Sequence, residues 1–138
     1  MAELIRFGVS LEKDLLKKFD DIITSENYAN RSEAFRDLIR EKMVKKEWMG
    51  RKEVAGTVTI VYDHHKRDLL NTLVDIQHDH HGIIVANQHI HLDHHNCLEI
   101  IVVRGKPREI EELAHKLRST RGVKYGQLSM ATTGKELQ

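Results

Sequence analysis

The chain has 138 residues, 31% of them charged, with a formal net charge of +1. That length allows one or two small domains, and a single cysteine excludes an internal disulfide framework. With no apolar run long enough to cross a membrane and no basic-then-apolar leader, the sequence predicts a soluble, cytoplasmic protein with no membrane partner and no global electrostatic signature of nucleic-acid binding.

Residues 3–11 alternate. Ile5, Phe7, Val9 and Leu11 fall on one face, and Arg6, Gly8 and Ser10 on the other, with Leu4 the exception. Period two predicts a short strand with one buried side. Leu15, Leu16, Phe19, Ile22 and Ile23 then recur at helical spacing. After a break at residues 27–30, Ala34, Phe35, Leu38, Ile39 and Met43 mark a second helix, with Asn30 and Glu33 placed as a capping pair.

A lone strand before two helices leaves its edge unpaired, and a second copy of the chain is the simplest partner. The resulting two-stranded ribbon would fit the major groove of double-stranded DNA, with Arg6, Gly8 and Ser10 outward; an ordinary solvated sheet edge accounts for the pattern equally well. Residues 1–50 hold ten basic and ten acidic side chains, so DNA binding would depend on how charge is distributed between faces. The helix start at Asn30, Arg31 and Ser32 is a candidate phosphate site.

A charged connector at residues 48–53 separates this unit from a second. Residues 54–62 are β-rich, and Leu69, Leu70, Leu73, Val74 and Ile76 follow at helical spacing. Strands are predicted from Ile83 to about Leu92 and from Cys97 to Val103. A helix opens at Pro107 and exits at Gly122, and a last strand spans 123–130. The order is that of a ferredoxin-like βαββαβ domain. The fold class is therefore α+β, with βαα over residues 1–50 and βαββαβ over 54–138.

Nine of the ten histidines lie between His64 and His95, and the stretch ends at Cys97. Imidazole and thiolate are the side chains best suited to late first-row divalent metals. His89 and His91 share one strand face. If Asp93-His94-His95-Asn96 is a turn, pairing residues to a common sum of 188 places His91 opposite Cys97 and His89 opposite Glu99. His89, His91 and Cys97 are good metal ligands, and Glu99 is placed to accept a ring N–H. His78, His80 and His81 are candidates for a fourth ligand from elsewhere. Spacing alone leaves zinc, copper(II) and nickel(II) open.

Strand, helix, Asn30-Arg31-Ser32-Glu33-Ala34, helix resembles the ribbon-helix-helix DNA-binding domains. Joined to a βαββαβ domain carrying Gln77-His78, His89-x-His91 and Cys97-Leu98-Glu99, the whole resembles the nickel-responsive repressors of the NikR family, whose second domain is ACT-like. The resemblance implies one Ni(II) per subunit, held by His89, His91 and Cys97 with His78 of a facing subunit, in a homotetramer built as a dimer of dimers. Glu99 would support the ligands, with Tyr62 and His64 nearby. It also implies operator DNA as partner, with Arg6, Gly8 and Ser10 at the bases and Lys66 and Arg67 at phosphate. Gly8 departs from the family pattern, since it offers no side-chain hydrogen bond. Glu33 and Asp37 match acidic residues that hold a second cation.

The expected function is nickel-gated binding and repression of an operator, with nickel-uptake genes as targets. An enzyme is disfavoured because four protein ligands leave no open metal position. A metal store or chaperone would use the same ligands but leaves the first 50 residues without a role. His65, His80, His81, His94 and His95 are left unassigned, as solvated groups or weak secondary sites.

Overall fold

The computed structural model describes residues 2–137. Two compact units divide the chain, the first built mainly from the sequence up to Met43 and the second spanning Val44–Lys135.

In the first unit, helix α1 runs Lys13–Ser25 and helix α2 begins at Arg31 and continues to Trp48. Asn27 takes φ 60, a left-handed conformation that asparagine tolerates, and the Tyr28 amide closes the end of α1 on the Ile23 carbonyl. Asn30 caps α2 as predicted: its Oδ1 accepts the Glu33 amide at 2.9 Å. The reciprocal half of that capping pair does not form, because the Arg36 guanidinium donates to the Glu33 carboxylate instead. Asp20 on α1 accepts both the Nε and NH2 groups of Arg31 at 2.9 Å, a bidentate fork that ties the two helices.

The alternating N-terminal segment is not a strand in the single chain. Its apolar face lies open, with Phe7 70% exposed, although the Phe7 ring does rest against Phe35 at 5.7 Å. The physical reason is that a strand exists only through its ladder, and nothing among the described residues offers this segment one.

The second unit is a four-stranded sheet with two helices. Its elements are β1 (Val54–Asp63), α3 (Arg67–Asp79), β2 (Ile84–His91), β3 (Asn96–Gly105), α4 (Pro107–Ser119) and β4 (Val123–Met130), with a short 3-10 turn at His81–Ile83. The strand order is β2-β3-β1-β4 and every ladder is antiparallel, giving the βαββαβ connectivity that the periodicities predict. Alternation along β1 is strict, and Val58, Ile60, Tyr62, Ile101 and Val103 meet Leu69, Leu73, Ile110, Leu113 and Leu117 in one core. Pro107 opens α4, where its missing N–H costs nothing, and Gly122 takes φ 100 in the turn into β4.

The predicted connector begins later than expected, because α2 does not stop before Trp48. The indole is 5% exposed, belongs to the core of the second unit, and donates Nε1–H to the Ala131 carbonyl at 2.8 Å. Its ring passes close to Gly56, where an added Cβ would lie 2.6 Å from the Ser129 carbonyl and 3.2 Å from the indole. Glycine is therefore required there by the approach of neighbouring atoms.

Candidate metal centre

The β2–β3 turn is built by Asp93. Its Oδ1 accepts the amides of His95 at 2.9 Å and Asn96 at 2.8 Å, and the Asn96 side chain donates to Oδ2 at 2.9 Å. These bonds, the Asn96 side chain first, hold the Asp93 carboxyl down at about 2. The turn sets the register, and the register is the one the sequence predicts: His91 pairs with Cys97 and His89 with Glu99. On the other side of β3, Tyr62 pairs with Cys97. Two imidazoles, a thiol, a carboxylate and a phenol thus share one end of the sheet, on its helix-covered side.

Glu99 is the buried centre of this patch, at 1% exposure. Its Oε1 accepts the Tyr62 hydroxyl at 2.8 Å, and its Oε2 accepts the Gln77 amide at 2.9 Å and the Asn87 amide at 3.2 Å. Asn87 also donates to Gln77 Oε1 at 3.1 Å. Burial and the Glu99 hydrogen bond push the Tyr62 hydroxyl well above its ordinary range, so it stays a donor. Its one proton goes to Glu99. The 3.2 Å contact between Tyr62 Oη and His89 Nδ1 is therefore satisfied by His89 donating, which leaves His89 Nε2 with the lone pair. Nε2 lies 3.5 Å from Glu99 Oε2, a contact made favourable by a cation or proton between them.

Cys97 is buried beneath this network at 2% exposure, while His89 and His91 are exposed on the edge strand. His64 packs its ring against His91 at 4.6 Å and sets Nε2 2.9 Å from the His94 carbonyl. His78 lies exposed at the end of α3, 6.0 Å from the His81 ring; with Gln77 and His89 it lines a cavity of about 370 Å³ beside Glu99. The donor set of His89, His91 and Cys97 suits a borderline-soft metal, and the Tyr62–Glu99 pair orients one of its imidazoles.

Sequence reasoning missed Gln77 and Asn87 as members of the site. Asn87 was marked by its place two residues before His89 on the same strand face, and Gln77 by its place beside His78. Among the described residues, one set brings three ligand atoms within 4.8 Å of one another, and it is a different one: Asp63, His65 and His95. Two of these were unassigned histidines.

The residues expected at DNA are exposed: Arg6, Gly8 and Ser10 in the N-terminal segment, Asn30, Arg31 and Ser32 at the start of α2, and Lys66 and Arg67 at the start of α3. Arg31 is not simply presented to solvent, since Asp20 holds its guanidinium. The expected second-cation residues, Glu33 and Asp37, each have a partner within the helical unit. Glu33 is engaged by Arg36, and Asp37 accepts the Tyr28 hydroxyl, which pushes that phenol up to about 12.

Fold and site together define a two-part protein: a helical unit of DNA-binding type followed by an α/β domain that carries a candidate metal centre. Comparison with known proteins agrees. Residues 5–46 match the ribbon-helix-helix proteins of the copG family, and residues 55–131 match the NikR C-terminal nickel-binding domain. A protein of Syntrophus aciditrophicus named as a nickel-responsive regulator is 55% identical over 97% of this chain and 98% of its own. One of the same name from Nitratidesulfovibrio vulgaris is 56% identical over 99% of both chains. An uncharacterized Thermotoga maritima protein, 15% identical with a TM-score of 0.50, shares the fold over 56% of this chain and 95% of its own. The chain belongs to the NikR family of nickel-responsive transcriptional regulators, which are not enzymes. No helix among the described residues is long and apolar enough to cross a membrane.

Proposed function

We propose that the protein is a cytoplasmic repressor whose hold on operator DNA is set by Ni(II), one ion per chain, at a site formed by His89, His91 and Cys97 with His78 of the partner subunit. Residues 1–50 act as the DNA-binding domain and residues 54–138 as the metal-binding and tetramer-forming domain. Genes for nickel uptake are the targets. The observation that carries this reading is the β2–β3 register, which sets His91 against Cys97 and His89 against a buried Glu99 already bonded to Tyr62.

His89, His91 and Cys97 on the hairpin of one chain and His78 at the α3 end of another would hold Ni(II), and the bound ion would supply a cross-link between the two chains. The chain's own residues do the rest. Tyr62 and Glu99 fix the His89 tautomer so that Nε2 keeps its lone pair as a ligand atom. Cys97 must lose its proton to bind, and a single cysteine kept as a thiolate belongs in a reducing compartment. Tying His78 down constrains α3, which begins at Arg67 directly after Lys66, and so sets where these cations meet phosphate. Paired N-terminal segments from two chains carry Arg6, Gly8 and Ser10 to the bases. With glycine at position 8, Arg6 carries more of the readout.

Nuclease footprinting on the chain's own upstream promoter tests the proposal. The expected result is two protected half-sites that appear with stoichiometric Ni(II) and vanish with a chelator. Equal protection in both conditions refutes it.

A further inference from the structure

We infer that Asp63, His65 and His95 form a second, solvent-facing site for a divalent first-row transition metal, which latches the turn after β1 to the tip of the β2–β3 hairpin. Their ligand atoms already lie within 4.8 Å of one another. Two donors on one ion at metal–ligand distances of about 2.0–2.2 Å lie roughly 3–4 Å apart, so closure needs side-chain movements of about an ångström. The His65 side chain is 48% exposed and His95 is exposed, so both rings can turn without disturbing the core.

The backbone holds the three residues in place independently of any ion. Asp63 pairs with Asn96 at the end of the β1–β3 ladder, and the His64 amide donates to the His95 carbonyl at 3.1 Å. Asp63 Oδ1 accepts the His65 amide at 2.9 Å, and Asp93 Oδ1 accepts that of His95 at 2.9 Å. A plain histidine–carboxylate pair accounts for Asp63 and His65, whose Nδ1 lies 3.4 Å from Oδ1, but not for His95. The His65 and His95 ring centres lie 5.4 Å apart, and His94 stands 5.3 Å from His65 as a further imidazole.

Two imidazoles and one carboxylate, with the remaining positions open to water, suit nickel, zinc or cobalt and give an exchangeable, weaker site than one closed by four protein ligands. The set shares no residue with His89, His91 and Cys97. It reaches them through His64, whose ring lies 4.1 Å from His65 and 4.6 Å from His91. Lys66 and Arg67 follow directly, so the latch would steady the base of that basic loop.

The test is a calorimetric Ni(II) titration of the full chain and of the His65→Gln/His95→Gln variant, with the thiolate-to-nickel absorption band followed in parallel. The wild type should take up a second, weaker equivalent per chain. The variant should lose that equivalent and keep the band, while Cys97→Ala should lose the band and keep the weaker equivalent. No second equivalent in the wild type, or one that persists unchanged in the double variant, overturns the inference. Either result leaves the thiolate band, and hence the primary site, to be judged on its own.

Discussion

The Tyr62 hydroxyl donates to the Glu99 carboxylate at 2.8 Å, and the same oxygen meets His89 Nδ1 at 3.2 Å. One buried acid thereby sets the tautomer of an exposed ligand. Glu99→Ala should remove the acceptor of Tyr62, Gln77 and Asn87 together. An unsatisfied buried donor costs about 1–3 kcal/mol, and loss of such outer support lowers metal affinity by about 10–100-fold. Glu99→Gln, which keeps the shape, should cost less on both counts. Urea unfolding of the metal-free protein and a competitive nickel titration measure the two effects; no loss of affinity in either variant contradicts the assigned role.

Cross-subunit completion by His78 has its own signature. His78→Ala and His89→Ala should each lose the thiolate-to-nickel band when purified alone. Co-refolded together, one chain still offers an intact hairpin and the other an intact His78, so part of the band should return. A mixture as colourless as the single variants would show that His78 is not supplied by a neighbour.

Asp20 and Arg31 predict a pH dependence in the helical unit. The Arg31 hydrogen bond holds the Asp20 carboxyl below its ordinary range. A carboxyl depressed on folding stabilises the fold fully above its unfolded pKa of about 3.9, and this contribution fades as pH falls through the lower folded value. Carbon-detected titration should place Asp20 below the ordinary aspartate range, and Arg31→Gln should return it there. The same bond restrains an expected phosphate contact, so Asp20→Asn should strengthen DNA binding without sequence preference.

Trp48 is the anchor of α2 in the second unit. Trp48→Ala should destabilise that unit by about 3–5 kcal/mol through the cavity it leaves, and Trp48→Phe by less, chiefly through the lost bond to Ala131. As the sole tryptophan, it reports its own burial by fluorescence.

The second domain was legible because its signals are local and mutually consistent. The β-rich run before Asp63, helical spacing from Leu69 to Ile76, Pro107 and Gly122 mark its elements, and the Asp93–Asn96 turn fixes the register of His91 on Cys97. The N-terminal strand was legible only as a pattern, because Phe7 and Val9 need a ladder that another chain must provide. Trp48 was read as connector because its burial depends on Gly56 and Ala131, which are distant in sequence. The Glu99 network was half visible: the pairing rule found His89, whereas the reach of Gln77 from α3 depends on helix placement. Asp63, His65 and His95 lie in two turns that meet only when the sheet assembles, so no spacing announced them.

The central claim is that nickel and DNA binding are coupled. Fluorescence anisotropy of a labelled fragment of the chain's own upstream promoter, titrated with metal-free protein and with protein carrying stoichiometric Ni(II), measures that coupling directly. The account predicts at least about a tenfold tighter complex with nickel, corresponding to about 1.4 kcal/mol of coupling, and loss of the difference in Cys97→Ala. Equal affinity with and without nickel would contradict it.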